Sequence, residues 1–176
     1  MDHQWGDATT ALEVGWDWLS LQLDDGTDLM VSMVWDVNSR ESIASYGTLS
    51  LPADGAGKPG STIHLAGEEI ALTPTGSWTS PQTGGVYPVG WELSVKLNSE
   101  LDPRREGHPW EAMTLQLNPV REASEFPSSP FVPVDYWEGA VSAEGERDGL
   151  EVSGLGFFEM VGYAPRRALS PPGQVP

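Results

Sequence analysis

"WDWLSLQLDDGTDLMVSMVW", residues 16–35, decides how this chain folds. Two runs, 16–23 and 29–35, are divided by Asp24, Asp25, Gly26 and Thr27. An Asp-Gly pair between apolar runs is a hairpin signal, because glycine takes the positive φ that a tight reversal between twisted strands needs. Side chains in a strand alternate between two faces. In the first run one face reads Trp16, Trp18, Ser20, Gln22 and the other Asp17, Leu19, Leu21, Leu23. In the second, Leu29, Val31, Met33 and Trp35 oppose Met30, Ser32, Val34 and Asp36. Both faces are large or apolar, so each strand needs a cover on each side.

The same pattern continues outward. Further runs occupy 46–51, 61–65, 69–73, 90–97, 112–118, 134–143 and 150–163, with turn clusters at 53–60, 83–85, 98–109 and 144–149. No segment longer than two turns has a helical period. The Pro- and Ser-rich stretch 119–133 is too long for a simple hairpin loop. About nine strands without helices mean a sandwich or a closed barrel. A barrel of about eight strands turns one face of every strand inward, around a space that can hold one small ligand. The expected fold is all-β, an antiparallel β-barrel of about 8–10 strands. Residues 1–164 form its single domain, and 165–176 a Pro-rich flexible tail. Gly154 and Gly156 would let the last strand bend at a barrel corner. The outer apolar face of the first, second and last strands should form an exterior patch, covered by a second domain, a second subunit or long loops.

Charge narrows the function classes. The chain carries 26 Asp plus Glu against 9 Lys plus Arg, a net charge of −17. Such a surface repels phosphate backbones and anionic lipid, so nucleic acid is not an expected partner. There is no cysteine, hence no disulfide or thiolate chemistry. No apolar run approaches the roughly 20 residues of a membrane span. The first residues are acidic and lack a signal-peptide core. As given, the chain reads as cytoplasmic, unless a leader has been removed.

Eight tryptophans stand out. Trp5, Trp16, Trp18, Trp78, Trp91 and Trp137, with Tyr136, lie on or beside the expected strands. Core packing accounts for any one of them. Collectively they make an apolar, π-rich box for a hydrophobic substrate. Asp17 sits between Trp16 and Trp18, and Glu138 follows Tyr136 and Trp137. A carboxyl among indoles is desolvated, which disfavours its charged form and leaves it able to donate a proton near neutral pH. An exposed strand carboxylate is the plainer alternative for each. His3, beside Asp2, is the third candidate; His64 and His108 have blander settings. Three histidines without ligand spacing suggest no metal site. No nucleophile elbow, P-loop or dinucleotide motif occurs, so no cofactor is expected.

Four blocks then add up to a resemblance: "DHQWG" (2–6), "GWDWLSLQLDDGTDLMV" (15–31), "LTPTGSWTSPQTGGVYPVGWELSV" (72–95) and "DYWEGAVSAEG…VSGLGFFEMVGYA" (135–164). Together they resemble the C-terminal half of the carotenoid hydratase (hydroxyneurosporene synthase) family. That family takes in kievitone hydratase-like proteins, "predicted secreted hydrolases" and lipocalin-like Diels–Alderases. The resemblance implies a lipocalin-like barrel with a hydrophobic ligand. It also implies a second barrel, on the same chain or in a homodimer, meeting the exterior patch. The Asp-His-x-Trp block gives His3 and Trp5 a functional role by resemblance, and Asp17 is matched to the family's other acid. The implied function is a hydro-lyase that adds or removes water on a polyene, isoprenoid or polyketide. Asp17 or Glu138 would protonate the alkene, Trp5, Trp16 and Trp18 would face the cation, and His3 would position water. The alternatives are a pericyclase of natural-product biosynthesis, which needs no acid, and a non-catalytic hydrophobic carrier barrel.

Overall fold

The computed structural model describes residues 13–53, 60–98, 100, 111–128 and 134–165. They contain twelve strands: β1 (Val14–Leu23), β2 (Asp28–Asp36), β3 (Ser42–Leu51), β4 (Ser61–Ala66), β5 (Ile70–Pro74), β6 (Ser77–Thr79), β7 (Val86–Pro88), β8 (Trp91–Lys96), β9 (Ala112–Pro119), β10 (Glu125–Phe126), β11 (Tyr136–Arg147) and β12 (Leu150–Val161). A 3-10 turn, Gly67–Glu69, joins β4 to β5. Every expected run is a strand. Three short strands were not expected: β6, β7 and β10 are too brief to show alternation. β11 also runs four residues past its expected end at Ala143.

The main sheet has the order β4-β3-β2-β1-β12-β11-β9-β8-β5, with β10 paired to β11 and β6–β7 forming a separate hairpin. All pairings are antiparallel. The chain therefore meanders, and β1 pairs with β12 where the meander curls back on itself. The two outermost strands, β4 and β5, meet through the 3-10 turn, and Leu65 and Ile70 both pack against Gly47 of β3. The result is a nearly closed, lipocalin-like barrel.

Which face of each strand turns inward corrects part of the sequence reading. In β1 the inner residues are Leu19, Leu21 and Leu23, all buried in the core. Trp16 and Trp18 therefore stand on the outer face, half-buried, not around an inner chamber. The cause lies across the seam. Gly154 and Gly156 of β12 oppose Leu23 and Leu21. A Cβ at Gly156 would come 2.4 Å from Leu21 Cδ2 and 2.3 Å from the Ser20 carbonyl oxygen. The leucines occupy the space that the glycines leave, so it is the leucine face of β1 that packs inward. Trp16 instead donates from Nε1 to Glu159 Oε1, 2.6 Å away on the outer face of β12. Tyr136 and Glu138 also face outward, because Trp137, Gly139 and Val141 take the inner positions of β11.

The interior is filled. Leu19, Leu21, Leu93, Val95, Leu115 and Phe158 have no exposed surface. Trp91 packs edge-on against Phe158 (4.4 Å between ring centroids) and Trp137 (6.2 Å). Among the described residues, the Trp91 and Trp137 indoles are thus taken up by contacts with each other and with Phe158. The expected exterior patch is present: Trp16, Trp18, Met30 and Val34 lie on the outer face beside Phe157 and Leu155, the last 68 % exposed.

The ends differ. At one, the turns of the β1–β2 and β11–β12 hairpins approach each other, and Arg147 pairs with Asp25. The other holds the start of β1, the end of β2 and the segment after β12, and the β6–β7 hairpin packs over it through Tyr87 and Tyr163.

Candidate functional site

Asp17 is the inward side chain nearest that second end on β1 after the bare Gly15, opposite Met33 of β2 and Met160 of β12. Two glycines shape its surroundings. Gly15 lacks the Cβ that would collide with the Trp35 ring, at 2.3–2.6 Å, so the indole lies directly on the β1 backbone. Gly162 has φ +94°, a conformation that favours glycine. Strict alternation puts Tyr163 on the outer face of β12; the bend at Gly162 carries it over the barrel mouth instead. There the Tyr163 hydroxyl donates to both Asp17 carboxylate oxygens, at 2.9 and 3.0 Å. Its ring meets Trp35 edge-on at 5.2 Å and leans on Tyr87 at 5.7 Å.

Arg40 completes the mouth from the β2–β3 turn. The Asp36 carboxylate accepts from the Asn38 and Ser39 backbone N–H groups, at 2.9 and 2.8 Å. The Asp36 carbonyl accepts from Arg40 N–H at 2.8 Å. This pinned turn holds Arg40 at φ 63° and returns its side chain over the barrel. The guanidinium carbon stands 4.2 Å from the Trp35 ring centroid and 5.5 Å from that of Tyr163.

Burial pushes the Asp17 carboxyl up to about 7, against the opposing pull of the Tyr163 hydroxyl, the Trp35 indole and the Arg40 charge. The Tyr163 hydroxyl is pushed well above its ordinary value by burial and by the neighbouring carboxylate. Near neutral pH Asp17 therefore exchanges a proton readily while Tyr163 keeps its own. Asp17, Met33 and Tyr163 retain partial solvent contact, whereas Leu19 and Phe158 beneath them have none. The site is an aromatic-rimmed mouth above the buried Leu19 and Phe158.

Its neighbouring wall is structural. Glu125 of β10 accepts from the Ser80 and Thr83 hydroxyls, tying β10 to the β6–β7 hairpin. Trp137 Nε1 donates to the Glu122 carbonyl at 2.5 Å. Tyr87 is buried beside Glu125, and burial with that carboxylate pushes its hydroxyl upward.

Among the described residues expected to act, Asp17 alone lies at this mouth. Trp91 and Trp137 belong to the packed core. Trp78 is half-buried in the hairpin, 6.2 Å from Tyr87. Trp16, Trp18, Tyr136 and Glu138 face outward and do not join Asp17. His3 and Trp5 lie outside the described residues. Trp35, Arg40 and Tyr163 were not anticipated. Trp35 carried a signal, since it shares the apolar face of Leu29, Val31 and Met33. Arg40 and Tyr163 reach the mouth only through backbone bends that alternation cannot show.

The model of the AttH-like family matches residues 1–163. A solved structure of a Nitrosomonas europaea protein assigned as AttH shares 28% identity, with a TM-score of 0.64 over 86% of this chain and 39% of that one. Kievitone hydratase from Nectria haematococca shares 18% identity, with a TM-score of 0.57 over 84% of this chain and 39% of its own. The chain thus spans about two fifths of the length of each. No curated protein sequence matches it.

Proposed function

The chain belongs to the AttH-like family, and from that premise we propose that it binds an apolar organic molecule at the Asp17 mouth and adds or removes water at a carbon–carbon double bond. The observation that carries this reading is Asp17 itself, a carboxyl raised to about 7 inside an aromatic rim. In hydration the protonated carboxyl gives its proton to one alkene carbon, water bonds to the other, and the proton lost by that water returns to the carboxylate. In dehydration the same carboxyl protonates the hydroxyl, which departs as water, and the carboxylate left behind takes the proton from the adjacent carbon. Tyr163 orients the carboxyl, and Trp35 supplies an apolar wall. The similarity to kievitone hydratase supports the fold alone; the reaction rests on the site.

The test is turnover of polyene, isoprenoid and polyketide alkenes in ¹⁸O-labelled water, read by mass spectrometry. Wild-type protein should incorporate one labelled oxygen, and Asp17→Asn should not. Full incorporation by Asp17→Asn would sink the acid role. Product formed without label, and unchanged by Asp17→Asn, would instead point to a pericyclic reaction.

The outer aromatic face, with Trp16, Trp18, Phe157 and Leu155, belongs to the same reading as the docking face for a second barrel. We infer that the barrel seated there is a second copy of this chain. The patch, and the greater length of both solved relatives, support it. Sedimentation velocity should show a dimer that Trp18→Glu converts to monomer; a monomeric wild type would refute it.

A further inference from the structure

Arg40 is held at the Asp17 mouth for a purpose the acid does not explain. Its backbone sits at φ 63°, in the left-handed region that costs a non-glycine residue energy. The turn that fixes it there is tied down by three hydrogen bonds to Asp36. The guanidinium stands over Trp35 and beside Tyr163, an arrangement that engages the cation but leaves its N–H donors at the periphery. Among the described residues no carboxylate lies within ion-pair distance of Arg40, and no carbonyl or hydroxyl accepts from its side chain; Arg147 is the arginine with such partners.

We propose that Arg40 anchors an anionic oxygen of the ligand, a carboxylate, phenolate or enolate, while the apolar body lies against Trp35 and Tyr163. The proposal rests on the Asp17 mouth being the ligand site, and it names the substrate class. Planar N–H donors match a planar carboxylate with two parallel hydrogen bonds. A fixed cation beside the reacting carbons also raises the energy of a full carbocation and lowers that of an oxyanion. The site therefore suits conjugated carbonyl compounds or acids better than plain hydrocarbons. The rest of the molecule works against anions, since its net charge is −17. Any preference for a carboxylate must come from a local cation.

The experiment is calorimetric titration with dodecanoate and dodecan-1-ol at pH 6, where Asp17 is mostly protonated, below their aggregation limits. Wild-type protein should bind dodecanoate about tenfold or more tightly than the alcohol. Arg40→Gln and Arg40→Gly should bring the two affinities together while leaving the alcohol within about twofold; the glycine variant also relieves the backbone, which keeps it folded. Tyr163→Leu should weaken both probes. Wild type that prefers the alcohol, or binds neither probe, would overturn the proposal. So would a carboxylate preference that survives in both Arg40 variants, or binding indifferent to Tyr163→Leu. Asp17→Asn separates this proposal from the acid role: it should keep the preference for dodecanoate whether or not turnover is lost.

Discussion

Each end of the barrel carries an aspartate from the first hairpin, and the surroundings of the two differ in kind. Asp25, at the β1–β2 turn, meets the Arg147 guanidinium at 2.6 Å, and its other oxygen accepts from Thr27 N–H at 2.9 Å. Asp17, at the opposite mouth, meets a neutral phenol at close range, with the Arg40 guanidinium held over Trp35. A carboxylate paired with arginine is a structural pin: its charge is compensated, with one oxygen accepting from Thr27 and the other facing the guanidinium. A carboxyl that burial has lifted to about 7 beside a tyrosine remains free to change protonation state. The same residue type on the same hairpin thus closes one end and leaves the other able to react.

The sharpest way to break this contrast is Asp17→Asn. It should lower turnover on an identified substrate by about 10²–10⁴-fold, read as kcat, and leave the fold intact by circular dichroism. Arg147→Ala should do the reverse. It strands Asp25 and should cost about 2–4 kcal/mol, the partial exposure of both side chains holding it to the lower part of that range. Urea unfolding measures the loss, and the folded fraction should keep the ligand affinity of the wild type.

A smaller effect concerns pH. Folding raises the Asp17 value from 3.8 to about 7. Between those points the folded state holds a proton that the unfolded chain has released, so stability falls as pH rises through this window and levels off above it. Removing the charge should therefore stabilise the protein at alkaline pH. With discounting for the solvent that reaches the mouth, Asp17→Asn should gain about 1–2 kcal/mol at pH 8 and little at pH 4, read from denaturation midpoints. A wild-type stability that is flat from pH 4 to 8 would remove the basis for a poised acid. In turnover, the protonated carboxyl should give a rate that declines above about pH 7. The finest test is Tyr163→Phe. Its hydroxyl favours the charged carboxylate, so its loss should move the alkaline limb of that profile further upward while kcat at pH 6 changes little.

Much of the barrel was legible in residues 16–35. The Asp-Gly reversal and two alternating runs announced an antiparallel pair, and the same rhythm repeated to Tyr163. The inward face was not legible, because both faces of β1 are apolar. Leu21 and Leu23 point inward because Gly154 and Gly156 lie opposite them, and nothing local reports a register set by residues over 130 positions away. Eight tryptophans suggested a chamber, yet the indoles of Trp91 and Trp137 are spent on core packing and those of Trp16 and Trp18 face out. Asp17 was expected among its sequence neighbours Trp16 and Trp18, but those face outward, and the aromatic residues it meets are Tyr163 and Trp35 at the barrel mouth. Tyr163 and Arg40 depend on single backbone bends, at Gly162 and in the Asp36 turn, that no periodicity predicts.

The seam between β1 and β12 has a kinetic consequence. Asp17 and Tyr163 are 146 positions apart, and their hydrogen bond forms only when the first and last strands meet. Joining the two ends of a meander is the most non-local event in its assembly, and such topologies mature over milliseconds to seconds. The hydrogen bond at the proposed acid therefore requires the two ends of the meander to meet, and a refolding experiment that follows Asp17-dependent turnover would time the zipping of that pair.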